Sequence, residues 1–137
     1  MKTYIVTGGC GFIGSYVIQE LLKQEDVFIY NIDKMGVGSS KENIIDDPRV
    51  ENHVIDIAND EHWRMHMTNP LAWISKEIDY VIHLAAESHV DRSIDSPLSF
   101  VHSNVVGTAK ILEMVRKQDA RMVHVSTDEV YGHLGKD

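Results

Sequence analysis

Lys2-Thr3-Tyr4-Ile5-Val6-Thr7-Gly8-Gly9-Cys10-Gly11-Phe12-Ile13-Gly14-Ser15 is the stretch whose reading decides the fold. Tyr4-Ile5-Val6 is a short apolar run of the kind a buried strand presents, and it leads directly into glycines. Residues 14–24 then place Val17, Ile18, Leu21 and Leu22 on one stripe of a helix. Gly8, Gly11 and Gly14 are spaced G-x-x-G-x-x-G between the two elements. Glycine is needed where a turn is tight and where backbone approaches a ligand closely. The free N–H groups at the start of a helix attract phosphate. A strand, this turn and an amphipathic helix, in that order, are the context a dinucleotide-binding loop requires.

Outward from the loop, the pattern alternates. Val27-Phe28-Ile29-Tyr30-Asn31-Ile32 reads as a second strand and His53-Val54-Ile55, ending at Asp56, as a third. Asp79-Tyr80-Val81-Ile82-His83-Leu84 reads as a fourth and Arg121-Met122-Val123-His124-Val125-Ser126 as a fifth. Residues 34–48 read as a loop with one helical turn, and 60–78 as a helix interrupted at Pro70. From Pro97 to about Gln118, Phe100, Val101, Val105, Ala109, Leu112 and Val115 recur at helical spacing, which predicts a helix packed on the sheet. Such alternation implies an α/β fold, a doubly wound parallel sheet of the Rossmann type. Right-handed crossovers favour five strands in the order 3-2-1-4-5. The chain runs eleven residues past Ser126, where a full fold of this type has about six strands. The expected unit over residues 1–137 is therefore a dinucleotide-binding domain truncated after strand five, lacking a substrate domain and leaving strand five at an open edge.

Composition excludes other classes. The 137 residues carry 13 lysines and arginines against 21 aspartates and glutamates, a formal charge of −8. That balance argues against nucleic-acid and membrane-surface partners. No apolar run reaches the roughly 20 residues of a membrane span, and the opening residues do not form a signal peptide. The single cysteine, Cys10, excludes an intrachain disulfide and suits a reducing compartment, so a cytoplasmic location is expected. Cys10 reads as a small filler beside the turn. Among the eight histidines, His62 and His66 are four apart without a third partner, so no metal is expected. His83 and His124 read as strand residues with satisfied ring nitrogens, and His89 as a possible substrate contact.

Ligands of open α/β sheets sit outside the carboxyl ends of the strands. Asp33 ends strand two, nineteen residues after Gly14. A carboxylate there accepts ribose hydroxyls and repels a 2′-phosphate, which favours NAD over NADP. Lys34, beside it, is a cation able to tolerate that phosphate. Asp56 ends strand three, either at the adenine edge or as the cap of the next helix. After strand four, Ala85 and Ala86 are small enough for a cofactor to pass, and Glu87, Ser88 and His89 supply polar groups. After strand five, Asp128 and Glu129 are adjacent carboxylates, suited to acid–base work. In an arbitrary acidic protein such a pair would read as a solvated turn, but at the carboxyl end of a strand beside a dinucleotide site the acid–base reading is preferred.

Three stretches together resemble the extended short-chain dehydrogenase/reductase superfamily, in its nucleotide-sugar branch, and within it the dTDP-glucose 4,6-dehydratase family. They are Thr7 to Ser15, His83-Leu84-Ala85-Ala86-Glu87-Ser88-His89-Val90-Asp91-Arg92-Ser93, and Ser126-Thr127-Asp128-Glu129-Val130-Tyr131-Gly132. Asn104-Val105-Val106-Gly107-Thr108 fits more weakly. The resemblance implies that bound NAD accepts a hydride from C4 of dTDP-glucose and returns it to C6 after loss of water. It implies Glu129 as the base at C5, Asp128 as the acid at the C6 hydroxyl, and Thr127 and Ser88 as substrate contacts. It places Gly8, Gly11, Phe12, Ile13, Gly14, Asp33, Lys34, Met35, Gly36, Asp56, Ile57, Leu84, Ala85, Ala86, Glu87, Ser88 and Ser103 along the cofactor. It also implies a homodimer built partly on helix 97–118.

The chain departs from that family in three places, the first being the loop after Asp33, where Gly36-Val37-Gly38-Ser39-Ser40 differs from the usual family wording. The family's Tyr-x-x-x-Lys pair has no counterpart, because Tyr131 is followed by Gly132-His133-Leu134-Gly135. Residues 60–78, with Trp63, Met65, Met67 and Trp73, are longer than the usual link. These 137 residues are thus expected to be the NAD-binding half and to turn over negligibly alone. A nucleotide-sugar epimerase or decarboxylase, and a non-catalytic dinucleotide-binding module, are the alternative readings.

Overall fold

A computed structural model describes residues 1–62, 76–88, 90–132 and 135, the side chains of 90–92 and 129 excepted. Strand β1 (Lys2–Thr7) leads into helix α1 (Phe12–Leu21), then β2 (Val27–Asp33), β3 (Val50–Val54) and β4 (Tyr80–His83). Two short helices, α2 (Val90–Asp95) and α3 (Pro97–Val101), precede a π-helical turn over His102–Gly107. Helix α4 (Thr108–Gln118) and strand β5 (Arg121–His124) follow. The sheet order is β3-β2-β1-β4-β5, with every pairing parallel. This is the topology expected from the sequence. The predicted helical turn in the 34–48 loop is a 3₁₀ turn at Lys41–Asn43.

Side chains alternate across the sheet and build a core on each face. Tyr4, Val6, Val27 and Ile29 pack with Ile18 of α1. Ile5, Tyr30, Ile32 and Val81 pack with Ile111 and Met114 of α4, joined by Ile55, Ile57 and Ile78. Each such buried side chain contributes about 1.5–3 kcal/mol. Registers Thr7↔Ile32 and Thr7↔His83 bring the carboxyl ends of the three central strands to one level.

Two expectations are corrected. Strand β3 begins at Val50 and ends at Val54, earlier than the apolar run His53-Val54-Ile55. Parallel pairing with β2, from Ile29↔Val50 to Asp33↔Val54, sets its limits. Glu51 and Asn52 are exposed on this edge strand, so no apolar run marks its start. The second correction concerns the helix after Pro97. Ser103, Gly107, Ile111 and Met114 are its buried positions, while Val101, Val105, Ala109 and Leu112 are exposed. A π turn takes up an extra residue and rotates the phase of what precedes it. The small residues let the helix come close: a Cβ on Gly107 would lie 2.8 Å from Ile57 Cγ1. The predicted helix over 60–78 falls mostly on residues 63–75, outside the described residues.

Candidate functional site

The glycine loop is built by close backbone contacts. Gly8 has φ +76°, a left-handed conformation that favours glycine. Its N–H donates to the Ile32 carbonyl at 2.8 Å, and a Cβ there would lie 2.9 Å from Ala85 N. The turn closes with the Gly11 N–H donating to the Gly8 carbonyl at 3.1 Å. A Cβ on Gly14 would lie 2.1 Å from the Gly8 oxygen, so α1 starts directly against the loop. Gly9 is crowded as well, by side chains and not by backbone: a Cβ there would meet Asn31 Oδ1 and Ile18 Cδ1.

Gly11 caps α1 with no side-chain hydrogen bond, and no acidic residue lies in the first turn. Helical geometry leaves the first-turn N–H groups without acceptors inside the helix. Phe12 and Ile13 at this end are exposed. An uncapped, ten-residue helix held against a glycine turn presents free N–H groups and a positive dipole end, which favour an anion such as a phosphate.

Asp33 stands beside this turn and is buried. Its carboxylate accepts from Cys10 N–H at 3.0 Å, Met35 N–H at 2.8 Å and the Ser39 hydroxyl at 2.7 Å. A carboxylate offers about four acceptor positions, so about one remains for an outside donor. Met35 adopts a left-handed φ of 56° in the turn that returns its N–H to Asp33. Asp33 therefore joins the glycine loop to the loop after β2. The Cys10 thiol is buried against Asn31, whose amide donates to the sulfur. Burial pushes its pKa up, the nearby Asp33 charge adds to the rise, and the Asn31 hydrogen bond opposes it. A protonated, enclosed thiol is a filler, as the sequence suggested, and not a nucleophile.

A second connection spans the mouth of the site. Lys34 Nζ lies 2.6 Å from Glu87 Oε1 and donates to the Ser103 hydroxyl at 3.0 Å. Asn104 holds the backbone of Glu87 from both sides: Glu87 N–H donates to Asn104 Oδ1 at 2.8 Å, and Asn104 Nδ2 donates to the Glu87 carbonyl at 3.0 Å. Ser103 and Asn104 lie in the π-helical turn, a feature frequent at functional sites. The sequence reading gave Asn104 no role. Its signal was its place in Asn104-Val105-Val106-Gly107-Thr108, the stretch that fits the family more weakly.

Beneath the β4 loop, Thr7 and His83 form a closed network. Thr7 Oγ1 accepts from Leu84 and Ala85 N–H, each at 3.2 Å, and lies 2.6 Å from His83 Nδ1. With both lone pairs used, the Thr7 hydroxyl donates to Nδ1. His83 Nε2–H then donates to Thr108 Oγ1 at 2.9 Å. The network thus assigns the neutral Nε2–H tautomer. Burial, with a smaller effect from His124, lowers the His83 pKa to about 4. His83 is 1% exposed. It fits the expected buried strand histidine, whereas His124 is exposed, its ring centroid 5.0 Å from that of His83.

The remaining site residues are more scattered. The Asp56 carboxylate accepts from Ala58 N–H at 2.9 Å, while Asn59 Oδ1 accepts from Glu61 and His62 N–H. Asn59, not Asp56, thus caps the residues that follow. The Ile57 side chain lies in the core. Ala86 and Ser88 are exposed beyond β4. Thr127 and Asp128 are exposed after β5, at the start of a 3₁₀ turn over Asp128–Tyr131. The side chain of Glu129 and all of His89 and His66 lie outside the described residues. No group of three metal-binding side chains forms among the described residues.

The sequence model of the GDP-mannose 4,6 dehydratase family matches residues 5–137. The dTDP-glucose 4,6-dehydratase 1 of Escherichia coli K12 is 39% identical over 142 residues, an alignment covering 95% of this chain and 38% of that protein. The crystal structure of DesIV, a dTDP-glucose 4,6-dehydratase from Streptomyces venezuelae solved with NAD bound, is 34% identical with a TM-score of 0.81, covering 98% of this chain and 42% of that one. A UDP-glucose 4-epimerase of Thermotoga maritima is 26% identical, also with a TM-score of 0.81, covering 98% of this chain and 41% of that one. The chain therefore spans about two fifths of the length of the relatives it matches.

Proposed function

Because this chain belongs to the GDP-mannose 4,6 dehydratase family, we infer that it is the NAD-binding part of a nucleotide-sugar 4,6-dehydratase, with dTDP-glucose as the substrate. The observation that carries the reading is the uncapped start of α1, held between Asp33 and the β4 loop. In this reading the amides at Phe12 and Ile13 bind the pyrophosphate, and Gly8, Gly11 and Gly14 keep that backbone in place and free of side chains. Asp33 takes the adenosine ribose, with Lys34, Met35 and Gly36 in its loop and Asp56 and Ile57 toward the adenine. Leu84 to Ser88 and Ser103 line the nicotinamide side.

NAD⁺, when bound, would supply the acceptor for a hydride from C4 of the sugar and the donor of that hydride to C6, while Glu129 gives the abstracted proton back to C5. The residues after β5 perform the elimination between those events. Glu129 removes the C5 proton, which a C4 ketone acidifies. Asp128 gives a proton to the C6 hydroxyl, which leaves as water while a C5–C6 double bond forms. Thr127 and Ser88 orient the sugar. The T. maritima neighbour shows that one fold serves epimerases equally well. Asp128 and Glu129 favour dehydration, because an epimerisation at C4 needs no departing hydroxyl.

Titration calorimetry with NAD⁺ tests the cofactor site: a folded chain that releases no heat overturns it. A chimera carrying these residues in place of the matched part of the E. coli enzyme tests the reaction. It is expected to make a 4-keto-6-deoxy sugar, and a NAD-binding chimera yielding only a 4-epimer refutes the dehydratase reading. The reading extends to a cytoplasmic homodimer. Leu98, Val101, Val105 and Leu112 leave an exposed apolar stripe along α3, the π turn and α4, which supports self-association. Light scattering is expected to give twice the 15.5 kDa chain mass; a monomer at high concentration rejects the dimer.

A further inference from the structure

Lys34 stands next to the carboxylate assigned to the ribose, yet its ammonium group is held elsewhere. A cation beside that carboxylate is the usual means of accommodating a 2′-phosphate. Here Nζ is drawn to Glu87 and Ser103, on the β4 side of the site. Three features keep it there. Asn104 clamps the Glu87 backbone through two hydrogen bonds. The Glu87 side chain is 12% exposed, so the pair is less screened than an ordinary surface ion pair. The lysine stem runs over Gly36, where a Cβ would lie 2.9 Å from Lys34 Cε.

We propose that Glu87 sets cofactor specificity by withdrawing Lys34 from the ribose 2′ position, keeping the site selective for NAD over NADP. Glu87 is thus a positioning residue that acts through Lys34. The inference rests on the NAD reading above. Released from Glu87, the flexible lysine can swing toward the Asp33 side and pair with a 2′-phosphate. Asp33 alone, engaged with three protein donors, then discriminates more weakly.

Calorimetric titrations of NAD⁺ and NADP⁺ into the wild-type chain, Glu87→Gln, Lys34→Ala and the double variant test this. Wild type is expected to prefer NAD⁺. Glu87→Gln is expected to raise NADP⁺ affinity relative to NAD⁺ by about tenfold, the effect of one freed charge near a phosphate. The double variant is expected to return to the ratio of Lys34→Ala. Gly36→Ala, which displaces the lysine stem and leaves Glu87 intact, is expected to shift the ratio in the same direction. It carries the test should Glu87→Gln fail to fold. An unchanged ratio in the folded variants overturns the proposal while leaving NAD binding intact. A shift that persists without Lys34 also overturns it, since Glu87 would then act by its own charge. A wild-type chain that binds neither cofactor refutes the underlying NAD reading instead.

Discussion

Gly14→Ala is expected to cost about 3 kcal/mol of stability, which for a domain of this size lowers Tm by about 10 °C. The added Cβ would lie 2.1 Å from the Gly8 carbonyl oxygen and 2.7 Å from the Gly9 Cα. Both neighbours are backbone, and the Gly8 conformation is already constrained by the Ile32 and Ala85 contacts. No flexible side chain can move aside, so α1 must lift off the loop. NAD⁺ affinity falls with it, because the helix start is displaced. Gly11→Ala is the informative control. Gly11 has φ −77° and ψ 171°, which any residue adopts, and its Cβ would meet the Gly8 oxygen at 3.2 Å. It is expected to melt near wild type yet bind NAD⁺ at least tenfold more weakly, since a methyl would stand where a pyrophosphate approaches. Thermal melts and calorimetry on the two variants separate the packing glycine from the binding glycine. If Gly14→Ala melted with wild type, the close packing of helix on loop would be wrong.

Acidification is expected to remove on the order of 2–3 kcal/mol of stability through His83 alone. In the folded protein His83 stays neutral down to about 4; in the unfolded chain it protonates near 6.5. Between those values the unfolded state binds more protons, so stability rises with pH across that window. The contribution is fully present above about pH 6.5 and is lost as pH falls toward 4. The cause is structural. The ring is buried, and a second ring proton would face a Thr7 oxygen whose lone pairs already accept from Leu84 and Ala85 N–H. Urea unfolding at pH 7, 5.5 and 4.5 measures the slope. His83→Asn is expected to be less stable at pH 7 and to show a flatter pH dependence. Parallel curves for the two proteins would show that His83 is not the buried titrating group. Because the same network holds the Leu84 and Ala85 amides, the variant is also expected to loosen the β4 loop.

Much of this architecture is legible along the chain. Strand runs such as Tyr4 to Val6 and Val27 to Ile32 are near-continuous apolar segments, because strands covered on both faces need little polar alternation. The glycine spacing announces its own turn, because a left-handed Gly8 and a crowded Gly14 exclude other residues. Asp33 was legible by position, as the first acid after strand two. Its other function, joining Cys10, Met35 and Ser39, was not, because those donors are chosen by the folded path of two loops.

The helix after Pro97 shows the opposite case. Apolar spacing marked Val101, Val105 and Leu112, but the sheet receives Ser103, Gly107, Ile111 and Met114. Periodicity counts hydrophobicity, whereas close packing against Ile57 and the Lys34 bridge selects small residues. The π turn then shifts the phase by an amount the residue pattern does not contain. The same limit applies to Asn104, whose reciprocal bonds to Glu87 depend on two elements meeting.

What the sequence by itself determined is the order of strands, the place of the glycine turn and the family. Each of these is written in residues adjacent along the chain, where sterics and handedness act locally. What only the tertiary structure decided is which long-range partners the polar side chains take. Lys34 pairs with Glu87 across 53 residues, and Thr7 meets His83 across 76. Such partners are selected by where burial leaves a donor facing an acceptor, a quantity that exists only once the sheet and its helices have packed.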